Sequence, residues 1–126
     1  MMTNLLVHRL NEVRHRAMTV SEAVAHALKL CGLEHKSHQN LAFRQAIWNV
    51  ASAVEKDGAR LSALGRELPY HNRAHIVDAV TSLSCLLHAT PTLDEEHQWL
   101  ALIAMTGHDL GHQGKSNLQL QLSQEV

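Results

Sequence analysis

Apolar residues recur at intervals of three and four along almost the whole chain, and that period restricts the fold more than any motif does. Leu6, Leu10 and Val13 share one face of a first helix, with Thr3 placed to cap it. Thr19 and Glu22 have the spacing of a capping box, and the helix they open aligns Val20, Val24, Leu28 and Cys31. Gly32, which tolerates a left-handed turn, ends it. After a polar loop over Glu34–Asn40, a third helix aligns Phe43, Ile47, Val50 and Val54 and is expected to stop at Asp57-Gly58. Residues 59–69, broken by Gly65 and Pro69, read as a short turn or irregular linker. A fourth helix over His71–His88 has Ile76, Val80, Leu83 and Leu87 on its core face. Thr90-Pro91 breaks the chain, and Thr92 with Glu95 forms a second capping box opening a fifth helix. The tail is ambiguous: Leu118, Leu120 and Leu122 alternate with polar residues like a strand, but no partner strand is evident, so helix or disorder is expected. The fold class is therefore all-α, a bundle of about five to six helices.

Composition narrows the function classes. With 45% hydrophobic but only 3% aromatic residues, Leu, Ala, Val and Ile must do most of the packing. The formal charge is −1 with both signs scattered, so no basic stripe asks for nucleic acid. The longest apolar run falls far short of the roughly 20 residues that a membrane span needs. Met1–Arg16 has no signal-peptide pattern, so the expected location is cytoplasmic. Cys31 and Cys85 stand in no paired motif and read as reduced thiols on apolar helix faces. Eleven histidines are the unusual feature, and a surplus of imidazoles raises the prospect of metal or proton chemistry.

Two polar knots stand out from the helical background. Tyr70-His71-Asn72-Arg73-Ala74-His75 opens the fourth helix, and His108-Asp109-Leu110-Gly111-His112-Gln113-Gly114 closes the fifth. Taken alone, a His pair four apart or a His–Asp doublet is a weak signal, and the other histidines read as ordinary helix residues. In combination, His71 and His75 share one helix face while His108 and Asp109 sit where an apolar helix ends. Histidine nitrogens with a carboxylate are a standard mixed set for Zn²⁺, Fe or Mn²⁺. A carboxylate can also bridge to a harder ion such as Mg²⁺. Asp78, one turn after His75, reads either as an outer acceptor orienting the imidazole or as a solvated helix carboxylate.

The ordered pattern Tyr70-His71-Asn72-x-x-His75-x-x-Asp78, then His108-Asp109-x-x-His112-x-Gly114-x-x-Asn117, resembles the signature of class I 3′,5′-cyclic-nucleotide phosphodiesterases, which belong to the all-helical HD superfamily of metal-dependent phosphohydrolases. Thr92-x-Asp94 and the apolar helix after it resemble the intervening segment. The likeness covers residues 70–117, with residues 1–69 as a helical scaffold and 118–126 as a tail of the same domain. It departs at Gly111, where those enzymes usually have Asp, and at Gln113, where they usually have Pro or Arg.

The resemblance implies that His75, His108 and Asp109 hold a first metal, zinc by preference, and that Asp109 bridges to a second, Mg²⁺ or Mn²⁺. It implies His71 as the general acid for the leaving 3′ oxygen and His112 as a support for the water at the metals. Asn72 and Asn117 take structural or outer positions. The implied substrate is a cyclic nucleotide, hydrolysed to a 5′-nucleotide. Phosphodiesterases complete the first metal's shell with an Asp far downstream, and here Glu125 is the only acidic residue after Asp109. The chain thus reads as the metal-binding front portion of such a domain, incomplete at its C-terminus and poorly active alone. A half-bundle exposes apolar surface, so homo-oligomerisation or association with a missing C-terminal half is expected. Another HD-type nucleotide phosphohydrolase, or a non-catalytic metal-binding or interaction module derived from an HD domain, fits the same residues.

Overall fold

A computed structural model describes residues 2–35, 37–69 and 72–110. They form five α-helices, α1 (Met2–Arg16), α2 (Val20–Leu30), α3 (Leu41–Ala63), α4 (Arg73–His88) and α5 (Glu95–Gly107), with no strand among them. None of the described helices is long and apolar enough to cross a membrane. The alternating leucines of the tail lie outside the described residues.

Helix α4 is the hub, packing against α1, α2 and α5, while α3 pairs with α5 and α2. The core draws Val20, Val24, Ala27 and Leu28 from α2, Ile47 and Ala51 from α3, Ile76 and Val80 from α4, and Trp99 and Leu102 from α5. These follow the apolar spacing read from the sequence, with Leu83 only partly buried at the edge. Trp99 is the largest fully buried side chain. Its ring lies nearly parallel to Phe43, with centroids 6.2 Å apart, so α3 and α5 share an aromatic contact.

Helix ends are set by short-range chemistry. Thr19 Oγ1 accepts from the Glu22 backbone N–H and Glu22 Oε1 accepts from that of Thr19, completing the expected capping box. At the other end of α2, Gly32 has φ +69. Its N–H bonds to the Lys29 carbonyl, and that of Leu33 bonds back to Leu28, a Schellman closure that satisfies two orphan carbonyls. Gly65 repeats the device after α3, where the Arg66 N–H returns to the Leu61 carbonyl. Two caps differ from expectation. Thr3 lies inside α1, and α5 is capped by Asp94, whose carboxylate accepts from the His97 N–H, instead of by Thr92. Asp94 stands one residue before the helix, where the first-turn N–H groups are within its reach.

Helix α3 continues through Gly58 to Ala63, past the end expected at Asp57-Gly58. The reason is packing. A Cβ at Gly58 would stand 2.4 Å from Arg73 Cδ and 2.6 Å from Cγ, so the Arg73 stem crosses α3 through the gap that glycine leaves. Its guanidinium then forms a fork on Glu67, at 2.8 and 3.2 Å, and reaches Glu55 Oε2 at 3.4 Å. Glu55 also accepts from the Val20 N–H, tying the start of α2 to the same knot. Gly58→Ala is expected to destabilise by about 1–3 kcal/mol, because the steric cost exceeds alanine's ~1 kcal/mol helix advantage. Urea unfolding reads this directly, and a stabilised variant would contradict the packing.

The hydrogen bonds from Arg73 hold the Glu67 carboxyl below its usual value of 4.5. A depressed carboxyl adds stability that is present above about pH 4.5 and lost as the pH falls through the folded value. The acid limb of the stability curve should therefore be flatter in Glu67→Gln than in the wild type, as measured by denaturation between pH 3 and 6. Parallel limbs would mean that Glu67 does not contribute.

Both cysteines are free. Cys85 is buried and Cys31 donates to the Ser84 carbonyl at 3.7 Å. Burial, aided by the neighbouring Cys85, pushes the Cys31 thiol up to about 11. Such a thiol stays protonated at neutral pH and is a poor nucleophile or metal ligand.

Candidate metal centre

The fold brings the start of α4 and the end of α5 together. Asn72 caps α4: its Oδ1 accepts from the His75 N–H at 2.9 Å, while its Nδ2 donates to the Pro69 carbonyl at 3.1 Å. That fixes where His75 enters the helix. At α5, the buried Trp99, Leu102 and Thr106 anchor the inner face, and His108 and Asp109 follow as the helix gives way to a turn.

His75, His108 and Asp109 each offer one ligand atom, and these atoms lie within 4.8 Å of one another. His75 Nε2 and His108 Nε2 both stand 3.3 Å from the same oxygen, Asp109 Oδ2. An ion bound tetrahedrally at roughly 2.0–2.1 Å has ligand atoms about 3.3 Å apart, the edge of that tetrahedron. Two edges of the triangle therefore already have metal-site dimensions. The imidazole rings meet edge to face with centroids 5.5 Å apart.

The tautomer of His108 strengthens the fit. Its Nδ1 lies 2.6 Å from the Met105 carbonyl, an acceptor only, so the Nδ1–H donates there. In the neutral ring Nε2 then carries a lone pair, and that lone pair faces a carboxylate oxygen. Two acceptors at that separation call for a cation between them, either a proton or a metal ion. The Asp109 side chain is 11% exposed, against 42% for His75 and 36% for His108. The carboxylate thus forms the floor of the site and the imidazoles its open rim.

Behind the floor lies a cavity of about 30 Å³ lined in part by Gly58, Glu67, Asn72, Arg73 and Asp109. It exceeds the roughly 10–15 Å³ that one water requires. Arg73 was not singled out in the sequence, yet it links α3, the 64–69 turn and the first turn of α4 two residues ahead of His75. Nothing local in the sequence signals this, because both carboxylate partners come from other segments.

The other candidates fall differently. Asp78 pairs with Arg14 of α1 at 3.4 Å, a link between α1 and α4 that the sequence does not reveal. Asn72 is the N-cap of α4. His71, His112 and Asn117 lie outside the described residues. Compared with protein-family models, curated proteins and solved structures, the chain matches none.

Proposed function

We propose that the chain is the metal-binding portion of a cyclic-nucleotide phosphodiesterase-like phosphohydrolase, with a divalent ion, zinc by preference, held by His75, His108 and Asp109. The observation that carries this reading is the convergence of both histidine Nε2 atoms on Asp109 Oδ2 at 3.3 Å, from two helices and two separate motifs. The order and spacing of those motifs support the phosphodiesterase class specifically. An ion there would supply positive charge to a phosphodiester and lower the pKa of a coordinated water. The chain's own residues do the rest of what is proposed. The Met105 carbonyl keeps the proton of His108 on Nδ1, and Asn72 fixes the entry of His75. His71 would deliver a proton to the leaving 3′ oxygen, a step typically worth about 10²–10⁴-fold. Asp109 would share its carboxylate with a second ion, Mg²⁺ or Mn²⁺.

With three protein donors converging among the described residues, hydrolysis by this chain is expected to be weak. The test is a turnover assay on cyclic AMP and cyclic GMP with added Zn²⁺, Mg²⁺ or Mn²⁺, comparing wild type with Asp109→Ala. Slow hydrolysis that vanishes in Asp109→Ala supports the reading. Robust hydrolysis abolished by that substitution would show that these ligands suffice for full activity. Hydrolysis unaffected by it would overturn the assignment of the site.

A further inference from the structure

A second polar cluster lies away from the candidate metal centre. Arg9 of α1 and His26 and Lys29 of α2 line a recess of about 340 Å³, with Leu30 as its apolar wall. No carboxylate among the described residues lines this recess. We propose that it binds a small molecule through a phosphate group, with Arg9 and Lys29 as the fixed positive charges and His26 as a further donor.

Three observations carry the assignment. First, Arg9 and Lys29 have no carboxylate partner among the described residues, a state they share with Arg44, Lys56 and Arg66, and they alone of these line one recess together. Second, the Arg9 Nε is buried without a hydrogen-bond partner among the described residues. An unpaired guanidinium donor is costly, and a turn of the Arg9 side chain toward an oxyanion in the recess would remove the cost. Third, the recess is at the lower end of the roughly 300–1,000 Å³ typical of small-ligand sites. That is larger than a bare phosphate requires and suits a phosphorylated metabolite.

The recess lies between two helices that both pack on α4. Val13 of α1 and Ala23 and Ala27 of α2 are buried beside it and line an adjoining cleft with Arg9 and His26. The basic side chains therefore project from two helices that α4 holds. Arginine's planar fork matches two phosphate oxygens at once, and lysine adds a point charge. Glu12 lines the adjoining cleft and is the nearest opposing charge on α1. Its oxygens face His8 at 3.8 Å and Arg16 at 3.6 Å, both on α1 itself. Thr81 and Ser84 of α4 also line that cleft, roughly 9–14 Å along α4 from His75, so this site is separate from the metal ligands.

The experiment uses the full chain after metal removal by chelator and dialysis, so that phosphate cannot bind through an ion. Backbone and side-chain NMR shifts are followed while inorganic phosphate, glucose 6-phosphate or, at matched ionic strength, sodium chloride is added. The expected result is saturable shifts at Arg9, His26 and Lys29 with either phosphate and none of that pattern with chloride. Lys29→Gln, at an exposed position that should not disturb folding, and Arg9→Gln should each weaken binding about tenfold, the loss of one charge-assisted hydrogen bond. Asp109→Ala should bind phosphate as the wild type does. Tighter binding of glucose 6-phosphate than of inorganic phosphate would support use of the whole recess. Shifts that chloride reproduces, that do not saturate, or that persist unchanged in Lys29→Gln would overturn the proposal.

Discussion

Protein purified without chelator from metal-replete medium is expected to carry roughly one zinc or other transition ion per chain, and Asp109→Ala is expected to lose it. The reason lies in the donor geometry. Both Nε2 atoms stand 3.3 Å from the same carboxylate oxygen, so removing Asp109 would remove a proposed ligand and the charge beside the other two. Loss of an outer partner typically costs about 10–100-fold in metal affinity, and loss of this carboxylate should exceed that range. His75→Ala and His108→Ala should each deplete the ion. His71→Ala should leave it in place, because the role proposed for His71 is proton delivery. Elemental analysis of the four variants reads this directly. Equal depletion in His71→Ala would show that His71 is a ligand and not an acid.

Trp99→Ala should have the largest effect on stability, about 3–5 kcal/mol. Trp99 is 1% exposed, sits between α3 and the α4 hub, and stacks on Phe43 while the Arg44 guanidinium lies 5.9 Å from its ring centre. Its indole N–H has no partner among the described residues, so part of the cost of burying this residue is a desolvated donor. Trp99→Phe removes that donor along with some volume and should cost clearly less than Trp99→Ala. Against a typical total stability of roughly 5–15 kcal/mol, the alanine variant is near the limit of folding. Denaturant unfolding of the two variants provides the measurement. Because α5 leads directly into His108 and Asp109, metal affinity should fall with stability in this series. A Trp99→Ala protein within about 1 kcal/mol of wild type would contradict the observed α3–α5 packing.

The sequence made the core legible because helical spacing reports burial directly. Val20, Val24 and Leu28 of α2, and Ile76, Val80 and Leu87 of α4, are all buried as their period required. Caps made of adjacent residues were legible too, as Thr19 with Glu22 and Gly32 show. Illegible features were those whose cause lies elsewhere in the chain. Gly58 resembles a helix stop locally, and only the passage of Arg73 across it explains why α3 runs on. Asp78 has a sequence position that suggests a role toward His75, but its observed partner Arg14 is 64 residues away. At the candidate site, the residue types and spacing point to His71, His75, His108 and Asp109, and the resemblance implies that three of them, His75, His108 and Asp109, are the ligands. The 3.3 Å spacings and the Met105 carbonyl that sets the His108 tautomer are three-dimensional facts with no local signature.

Anomalous X-ray scattering from crystals grown with stoichiometric Zn²⁺, collected on both sides of the zinc edge, tests the central claim most directly. The account predicts a single strong peak bonded to His75 Nε2, His108 Nε2 and an Asp109 carboxylate oxygen at about 2.0–2.2 Å, with His108 Nδ1 still on the Met105 carbonyl. A zinc peak held by other residues, or none above background with His75, His108 and Asp109 well ordered, would contradict it.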